Sequence, residues 1–239
     1  MNKILTSLSI SLNLILLFTL LSLTYRLGYL GRVFVALNAN AIELPTDTLN
    51  SQSWWQDDVK YQLSVTQNSQ YTACLFGDSI SSGLGNTLGN NTFNFALGGM
   101  STIPLIEQLK MLTAAKVRCN KVIIAIGTND ADYRIMNDQF IKNMKEIIAT
   151  VKQMGANDVI LVPAFYSTVA ASHDPSMAGP IARVEEINAL IRQVATTQKV
   201  LISGSGIQPL FEGQALKQNL TVDGVHLNAD GKKYIDKLY

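Results

Sequence analysis

From residue 71 onward, short apolar segments alternate along the chain with longer segments of helical periodicity, and this alternation restricts the fold more than any other feature. Such alternation is typical of βαβ units built around a parallel sheet. Each apolar segment has the composition of a strand buried on both faces. The predicted strands are Tyr71–Phe76, Thr92–Leu97, Lys121–Ile126, Asp158–Ala164 and Lys199–Ile202.

The segments between the later strands place apolar residues on one helical face, as expected for helices that cover a sheet. These residues are Leu105, Leu109 and Leu112, then Phe140, Met144, Ile147, Val151 and Met154, then Val184, Ile187, Ile191 and Val194. A closing helix is predicted over Ala229–Leu238, with Asn228 as its N-cap. Residues 71–239 are therefore expected to form one α/β domain.

Composition excludes several classes of protein. The chain has 239 residues, of which 47% are hydrophobic and 15% charged, unlike a disordered chain or a disulfide scaffold. With 19 basic against 18 acidic residues, it lacks the charge of a nucleic-acid-binding protein. The histidines are His173 and His226 and the cysteines Cys74 and Cys119, too few and too scattered for a clustered zinc site. We therefore predict no metal and no cofactor.

The two cysteines are expected to lie on neighbouring strands. If Phe76 is aligned with Ile126, Cys119 falls about five residues below Cys74, on the order of 16 Å at ~3.3 Å per residue. That separation is too large for a disulfide. The alignment predicts two free, buried thiols.

Residues 4–25 form an uncharged run of 22 residues between Lys3 and Arg26. As a helix this run would cross the ~30 Å hydrocarbon core of a bilayer. Tyr25, which ends the run, and Arg26-Leu27, which follow it, stand where a cleaved signal peptide has small residues, which favours an uncleaved anchor. Residues 1–32 are accordingly predicted to be a membrane anchor or signal segment, with the folded part outside the cytoplasm, membrane-anchored or else secreted or periplasmic after cleavage.

Residues 33–70 are interpreted as a connector. Trp55, Val59 and Leu63 recur at helical spacing, which predicts a short amphipathic helix docked onto the domain. The alternative places the Trp54-Trp55 pair at the membrane interface, where tryptophan is favoured.

Small and polar residues follow the predicted strands at the points where these strands end. The segments are Gly77-Asp78-Ser79, Gly98-Gly99, Gly127-Thr128-Asn129-Asp130 and, near the C-terminus, Asp223-Gly224-Val225-His226. Ligands of open parallel sheets bind beyond the carboxyl ends of the strands, so these segments are expected to meet at one site.

Together these segments supply what ester cleavage by a side-chain alcohol requires. Ser79 lies at a strand-to-helix turn and is the candidate nucleophile. His226 is the candidate base, and Asp223, three residues earlier, is close enough to orient its imidazole. His173 is the alternative base, although a solvated loop position is the simpler interpretation.

The same segments supply donors for an oxyanion. The candidates are the backbone N–H groups of Ser79 and Gly99 and the side-chain amide of Asn129. Gly98 is the alternative to Gly99. Each segment by itself is also an ordinary turn sequence, and their joint occurrence at strand ends is what favours a catalytic site.

In these four segments the sequence resembles the SGNH, or GDSL-type, serine hydrolases, and the resemblance covers roughly residues 71–239. It implies a flavodoxin-like three-layer α/β/α sandwich with a five-stranded parallel sheet and no metal. It also implies a Ser79–His226–Asp223 triad and an oxyanion hole formed by Ser79, Gly99 and Asn129.

The expected function is hydrolysis of carboxylic esters through an acyl-enzyme intermediate. The family includes esterases, lipases, thioesterases and carbohydrate acetylesterases, so the resemblance does not identify the acyl group of the substrate. The expected location favours an acylated carbohydrate or lipid as substrate, with the membrane contacted through the N-terminal helix and no nucleic acid as partner. The alternative is a non-catalytic carbohydrate- or partner-binding domain on the same fold.

Overall fold

The computed structural model describes residues 47–85 and 89–235, together with Thr19. Its helices and strands, in chain order, are α1 (Ser53–Thr66), β1 (Gln70–Gly77), α2 (Ser79–Ser82), β2 (Thr92–Asn94), α3 (Thr102–Ala114), β3 (Arg118–Ala125), α4 (Thr128–Asp132), α5 (Asn137–Gln153), β4 (Asp158–Val162), α6 (Val169–Ser172), α7 (Ile181–Gln198), β5 (Leu201–Ile202), β6 (Phe211–Glu212), β7 (Ala215–Leu216) and α8 (Ala229–Ile235). Short 3₁₀ helices span Leu49–Ser51, Ser205–Leu210 and Gln218–Leu220.

The five predicted strands are confirmed, and they form one parallel sheet in the order β2-β1-β3-β4-β5. This order is that of flavodoxin-like folds. β2 ends at Asn94, earlier than predicted, but the backbone N–H groups of Phe95 and Leu97 still donate to carbonyls of β1. Strands β6 and β7 form a separate antiparallel pair.

The two faces of the sheet are covered unequally. Parallel strands are joined by right-handed crossovers, so the connections that move toward β5 lie on one face. Strand residues such as Phe76 and Ile124 pack there with the apolar sides of α1, α3, α5 and α7 in the larger core. On the other face, Leu75 and Ile123 pack against α2, α8, the β6–β7 pair and the nearby 3₁₀ turns. Ligands of open parallel sheets bind beyond the carboxyl ends of the strands, which is where the predicted site residues lie.

Helix α1 packs into the larger core, as the docking interpretation predicts. Trp55 and Val59 are fully buried on its inner side. Trp54 is 45% exposed, so the two adjacent tryptophans face different surroundings. The compact unit that contains the sheet therefore begins at Asp47.

The predicted membrane segment lies outside the described residues, apart from Thr19. Within residues 47–85 and 89–235, no helix is long and apolar enough to cross a bilayer.

The expectation of two free thiols is wrong, because Cys74 and Cys119 form a disulfide with their Cα atoms 5.9 Å apart. The first reason is the register of the neighbouring strands. Phe76 pairs with Ile124, whereas the sequence estimate paired it with Ile126. This difference removes two residues from the expected offset between the cysteines.

The second reason is an irregular pleat near the start of β1 and β3. The recorded pairing passes from Tyr71–Cys119 directly to Ala73–Lys121. Tyr71 and Cys74 then pack on the same apolar cluster although they are three residues apart. In a regular strand such residues point to opposite faces, so the estimate based on uniform extension does not hold here.

Candidate active site

Ser79 begins a short helix directly after β1. Asp78 is the N-cap of that helix, and its side chain accepts a hydrogen bond of 3.0 Å from the Ile80 backbone N–H. The cap fixes the turn because the first N–H groups of a helix have no partner within it. The nucleophile position therefore lies at the carboxyl edge of the sheet.

The three predicted triad residues lie in one chain of hydrogen bonds. The Ser79 Oγ atom lies 2.8 Å from Nε2 of His226. On the other side of the imidazole, Nδ1 lies 2.7 Å from Oδ2 of Asp223. The sequence distance between Ser79 and His226 is 147 residues, and the fold closes it.

The loop that carries Asp223 and His226 is organised by hydrogen bonds between its own side chains and its own backbone. The second carboxylate oxygen of Asp223 accepts the N–H groups of Val225 at 2.9 Å and His226 at 2.8 Å. The Thr221 hydroxyl accepts the Gly224 N–H at 2.8 Å and donates to the His226 carbonyl. The side chain of the base is thus held on a preformed loop.

The protonation of Asp223 follows from these contacts. Partial burial raises the pKa of Asp223, but hydrogen bonds from the His226 side chain and from the His226 and Val225 N–H groups outweigh it. The pKa of this carboxyl group therefore lies below its ordinary value. Asp223 is ionised at neutral pH and favours the His226 tautomer with the proton on Nδ1.

Asn129 lies in the short helix α4, which follows the carboxyl end of β3. The preceding Gly127 has φ of +132°, and a side chain there would meet Ile187 at 2.9 Å. A residue other than glycine would disturb this turn. The Asn129 side chain donates from Nδ2 to the Met100 carbonyl at 2.9 Å.

Gly99 lies in the segment between β2 and α3, which we call the oxyanion loop (residues 98–102). Its φ of +71° lies in the left-handed region that favours glycine. Gly98 is the neighbouring alternative and faces open space where a side chain would be. The bond from Asn129 to Met100 brings the second and third sequence segments together at this loop.

The buried carboxylate of Asp78 was not assigned a role from the sequence. Burial raises the pKa of Asp78 to about 6, against the lowering effect of the Ile80 and Ser81 backbone N–H groups. Its side chain also bonds the Thr128 hydroxyl, whose oxygen accepts the Phe165 N–H at 3.1 Å. These bonds connect the turns that follow β1, β3 and β4.

Asp130 is a second buried carboxylate beside the site. It accepts hydrogen bonds from the Thr102 N–H at 3.1 Å and from the Thr102 hydroxyl at 2.5 Å. Burial raises the pKa of Asp130 to about 7; the bonds from Thr102 lower it, and the nearby charge of Asp47 adds to the rise. Asp130 thereby joins α4 to the start of α3, and the sequence offered no signal for this role beyond its place after Asn129.

His173, the alternative base, is exposed at the end of α6. The imidazole that lies within hydrogen-bond distance of Ser79 belongs to His226. The surrounding loop still borders the site, since the Thr168 N–H donates to the Gly224 carbonyl at 2.8 Å.

The chain matches the model of the GDSL-like Lipase/Acylhydrolase family over residues 64–234. Among curated proteins, none matches the sequence.

Solved structures with the same fold come from several bacteria. A candidate acylhydrolase from Bacteroides fragilis is 22% identical, with a TM-score of 0.60 over 81% of this chain and 95% of that chain. A GDSL-like lipase from Bacteroides thetaiotaomicron is 18% identical, with a TM-score of 0.58 over 85% and 92%. A lipase/acylhydrolase from Enterococcus faecalis is 20% identical, with a TM-score of 0.52 over 70% and 92%. At these identities the likeness establishes the shared fold.

Proposed function

The chain belongs to the GDSL-like Lipase/Acylhydrolase family, and from this premise we propose that it is a serine esterase that cleaves carboxylic esters through an acyl-enzyme. The observation that carries this proposal is the continuous hydrogen-bonded chain Ser79–His226–Asp223. A nucleophile, a base and a group that orients the base in this order define the chemistry of a serine hydrolase.

Acylation begins with proton transfer. His226 Nε2 accepts the proton of the Ser79 hydroxyl while Oγ attacks the ester carbonyl carbon. The imidazolium that forms is stabilised by the carboxylate of Asp223 at 2.7 Å. When the tetrahedral intermediate collapses, the carbon–oxygen bond to the alcohol breaks, and His226 returns the proton to the leaving alkoxide.

The negative charge of the intermediate requires donors aimed at the carbonyl oxygen. The backbone N–H groups of Ser79 and Gly99 and the side chain of Asn129 fill this role. The Asn129 amide carries two N–H hydrogens, and one of them binds the Met100 carbonyl. This bond orients the amide and leaves the second hydrogen for the substrate.

Deacylation repeats the sequence with water. His226 takes a proton from a water molecule, whose oxygen attacks the acyl carbon bound to Ser79 Oγ. Collapse of the second tetrahedral intermediate releases the carboxylic acid and returns the proton to Ser79. No group outside the triad and the oxyanion donors is required.

The proposed location is outside the cytoplasm, on the membrane to which the N-terminal segment attaches the domain. The 22-residue uncharged run supports the attachment. The Cys74–Cys119 disulfide supports the compartment, because such bonds persist mainly in oxidising surroundings.

The proposed substrate is an acylated carbohydrate or lipid of the cell envelope. Exposed apolar side chains flank the His226 loop. Val222 is 70% exposed beside Asp223, and Val169 is 55% exposed in α6, next to the Thr168–Gly224 contact. Side chains of this kind suit the hydrocarbon part of an acyl group.

The deciding experiment is labelling of the full chain, in detergent, with a fluorophosphonate, followed by mass-spectrometric mapping of the adduct. We expect the adduct on Ser79 and its loss in Ser79→Ala and His226→Ala. Ser82→Ala and His173→Ala are matched controls that should label like the parent. Ester hydrolysis by Ser79→Ala should fall on the order of 10³-fold or more.

Two outcomes would count against the proposal. An adduct that persists in Ser79→Ala would place the nucleophile elsewhere. A folded protein that is neither labelled nor active on acetyl, thio and lipid esters would favour the binding-domain alternative.

A further inference from the structure

The first described residues of the chain pack directly on the oxyanion loop. Three side chains between residues 47 and 55 each contact one of three consecutive residues of that loop. We call residues 47–55 the N-terminal clamp. The clamp precedes the part of the chain that matches the family model, residues 64–234.

Asp47 holds the position where the loop becomes a helix. Its Oδ2 accepts a hydrogen bond from the Ser101 hydroxyl, and its Oδ1 accepts the Leu49 N–H at 3.0 Å. Ser101 is the N-cap of α3, and its oxygen accepts the Ile103 N–H at 3.1 Å. Because Ser101 is fully buried, Asp47 determines the direction in which its hydroxyl hydrogen points.

Leu49 covers the glycine of the loop. Its two methyl carbons lie 3.6 and 3.7 Å from the point where a Gly99 side chain would begin. Leu49 is itself buried in the larger core. Gly99 is therefore packed from the clamp side while its backbone keeps φ of +71°.

Trp55 supports the residue between these two. It is fully buried, and its indole N–H lies 3.1 Å from the sulfur atom of Met100. The carbonyl of Met100 is the acceptor that orients the Asn129 amide. Through Met100, the clamp therefore contacts the residue that orients Asn129, and through Leu49 it contacts Gly99, so it supports two of the three proposed oxyanion donors.

We propose that the N-terminal clamp positions the oxyanion donors, with Asp47, Leu49 and Trp55 as positioning residues for the reaction. This inference rests on the proposed esterase function. Donors help catalysis when they are already aimed at the charge that develops, so a loop held from both sides lowers the barrier without binding the substrate more tightly. Loss of the clamp should lower kcat and leave KM nearly unchanged.

The test measures hydrolysis of 4-nitrophenyl acetate by the full chain in detergent. We expect Asp47→Ala to lower kcat on the order of tenfold, less than the ~10²–10³-fold loss expected when a donor is removed outright. KM should stay within about threefold of the parent. Leu49→Ala and Trp55→Phe should act in the same direction. Asp47→Asn, whose single amide oxygen can accept from either the Leu49 N–H or the Ser101 hydroxyl but not from both, should recover part of the rate.

A double-mutant cycle separates positioning from general packing. If Trp55 acts through Met100 and the Asn129 amide, Trp55→Phe should cost much less when Asn129 is already alanine, because the contact then has no donor left to orient. Val59→Ala is the matched control, since it removes buried apolar contacts from α1 and leaves the three clamp contacts in place. It should lower thermal stability without changing kcat.

The outcomes distinguish the two proposals. A parent that is neither active nor labelled at Ser79 overturns the esterase proposal and the clamp with it. An active parent whose folded Asp47→Ala, Leu49→Ala and Trp55→Phe variants keep the parental kcat overturns the clamp alone. Strict additivity between Trp55→Phe and Asn129→Ala would overturn the part of the clamp that acts through Met100. If Asp47→Ala does not fold, the Leu49→Ala and Trp55→Phe variants decide.

Discussion

The loop that carries Asp223 and His226 is organised by bonds among residues 221–226, whereas the loop that carries Gly99 is held by side chains from distant parts of the chain. The first loop, together with Ser79, is called the open side below, because the side chains of His226 and Asp223 are 45% and 37% exposed. The second loop, together with Asn129, is called the closed side, because Met100, Ser101 and Thr102 are fully buried.

This difference in exposure corresponds to the different task that the proposed mechanism gives to each side. A base must exchange protons with serine, alcohol and water, so it needs access to the crevice and a fixed tautomer. Oxyanion donors must not reorient during the reaction, because reorganisation at that moment costs part of the stabilisation they give. A local loop suits the first task and a buried, multiply supported loop the second.

The largest expected effect is on the open side. In the proposed mechanism His226→Ala removes the base from both half-reactions, and we expect kcat to fall on the order of 10³-fold or more. His173→Ala, which removes the exposed histidine, should be close to parental. A His226→Ala variant with a rate within tenfold of the parent would mean that another group takes the proton.

On the closed side we expect Asn129→Ala to lower kcat by about 10²–10³-fold, with KM nearly unchanged. Asn120→Ala provides a matched control, because Asn120 lies near the amino end of β3, whereas Asn129 follows the carboxyl end of that strand. Steady-state kinetics on one ester measures both parameters. A rise in KM at constant kcat would indicate a substrate-binding role for Asn129.

The disulfide joins the two strands that lead to Ser79 and to Asn129, because Cys74 lies in β1 and Cys119 in β3. Replacing Cys74 and Cys119 together by serine should lower the free energy of unfolding by about 2–4 kcal/mol. Rates at 25 °C should change by less than about threefold, because neither cysteine touches the crevice. Denaturant unfolding measures the effect on stability, and ester kinetics measures the effect on the rate. A large loss of kcat would show that the disulfide aligns Ser79 with Asn129.

The smallest expected effect concerns Asp130. Its pKa is raised to about 7 from an ordinary value of 3.8, so the folded protein keeps a proton that the unfolded chain has released. This contribution to stability is complete below about pH 4 and is lost as the pH rises to about 7. Asp130→Asn lacks this contribution, so the free energy of unfolding of the variant should rise relative to that of the parent as the pH increases across that range.

Urea unfolding of Asp130→Asn and parent at pH 4.5, 5.5, 6.5 and 7.5 tests this expectation. Parallel stability curves would show that Asp130 titrates alike in the folded and unfolded chains. At one fixed pH, the difference in the free energy of unfolding between Asp130→Asn and the parent reports how much the hydrogen bonds from Thr102 to the Asp130 carboxylate stabilise the protein.

The sequence predicts the open side well because its contacts are local. Asp223 and His226 are three residues apart, and a turn at Gly224 is enough to bring their side chains together. Ser79 follows a strand whose apolar composition is clear. The sheet, with its βαβ alternation, is predictable for the same reason.

The closed side is less accessible to such reasoning. Nothing local in the sequence connects Asp47 with Ser101 or Trp55 with Met100, since these pairs meet only after the sheet and α1 have packed. The cysteine pair fails for a related reason. Its distance depends on strand register and on an interrupted pleat, and a change of two residues in register decides whether a bond forms.

The disulfide also makes a closed ring of the chain between Cys74 and Cys119, a sequence separation of 45. Ser79 and Gly99 both lie within this ring. One peptide-bond cleavage anywhere inside it would leave the two fragments covalently joined until a reductant separates them. A nicked molecule thus keeps Ser79 and Gly99 in one covalent particle as long as the disulfide stays oxidised, as in the location outside the cytoplasm that we propose.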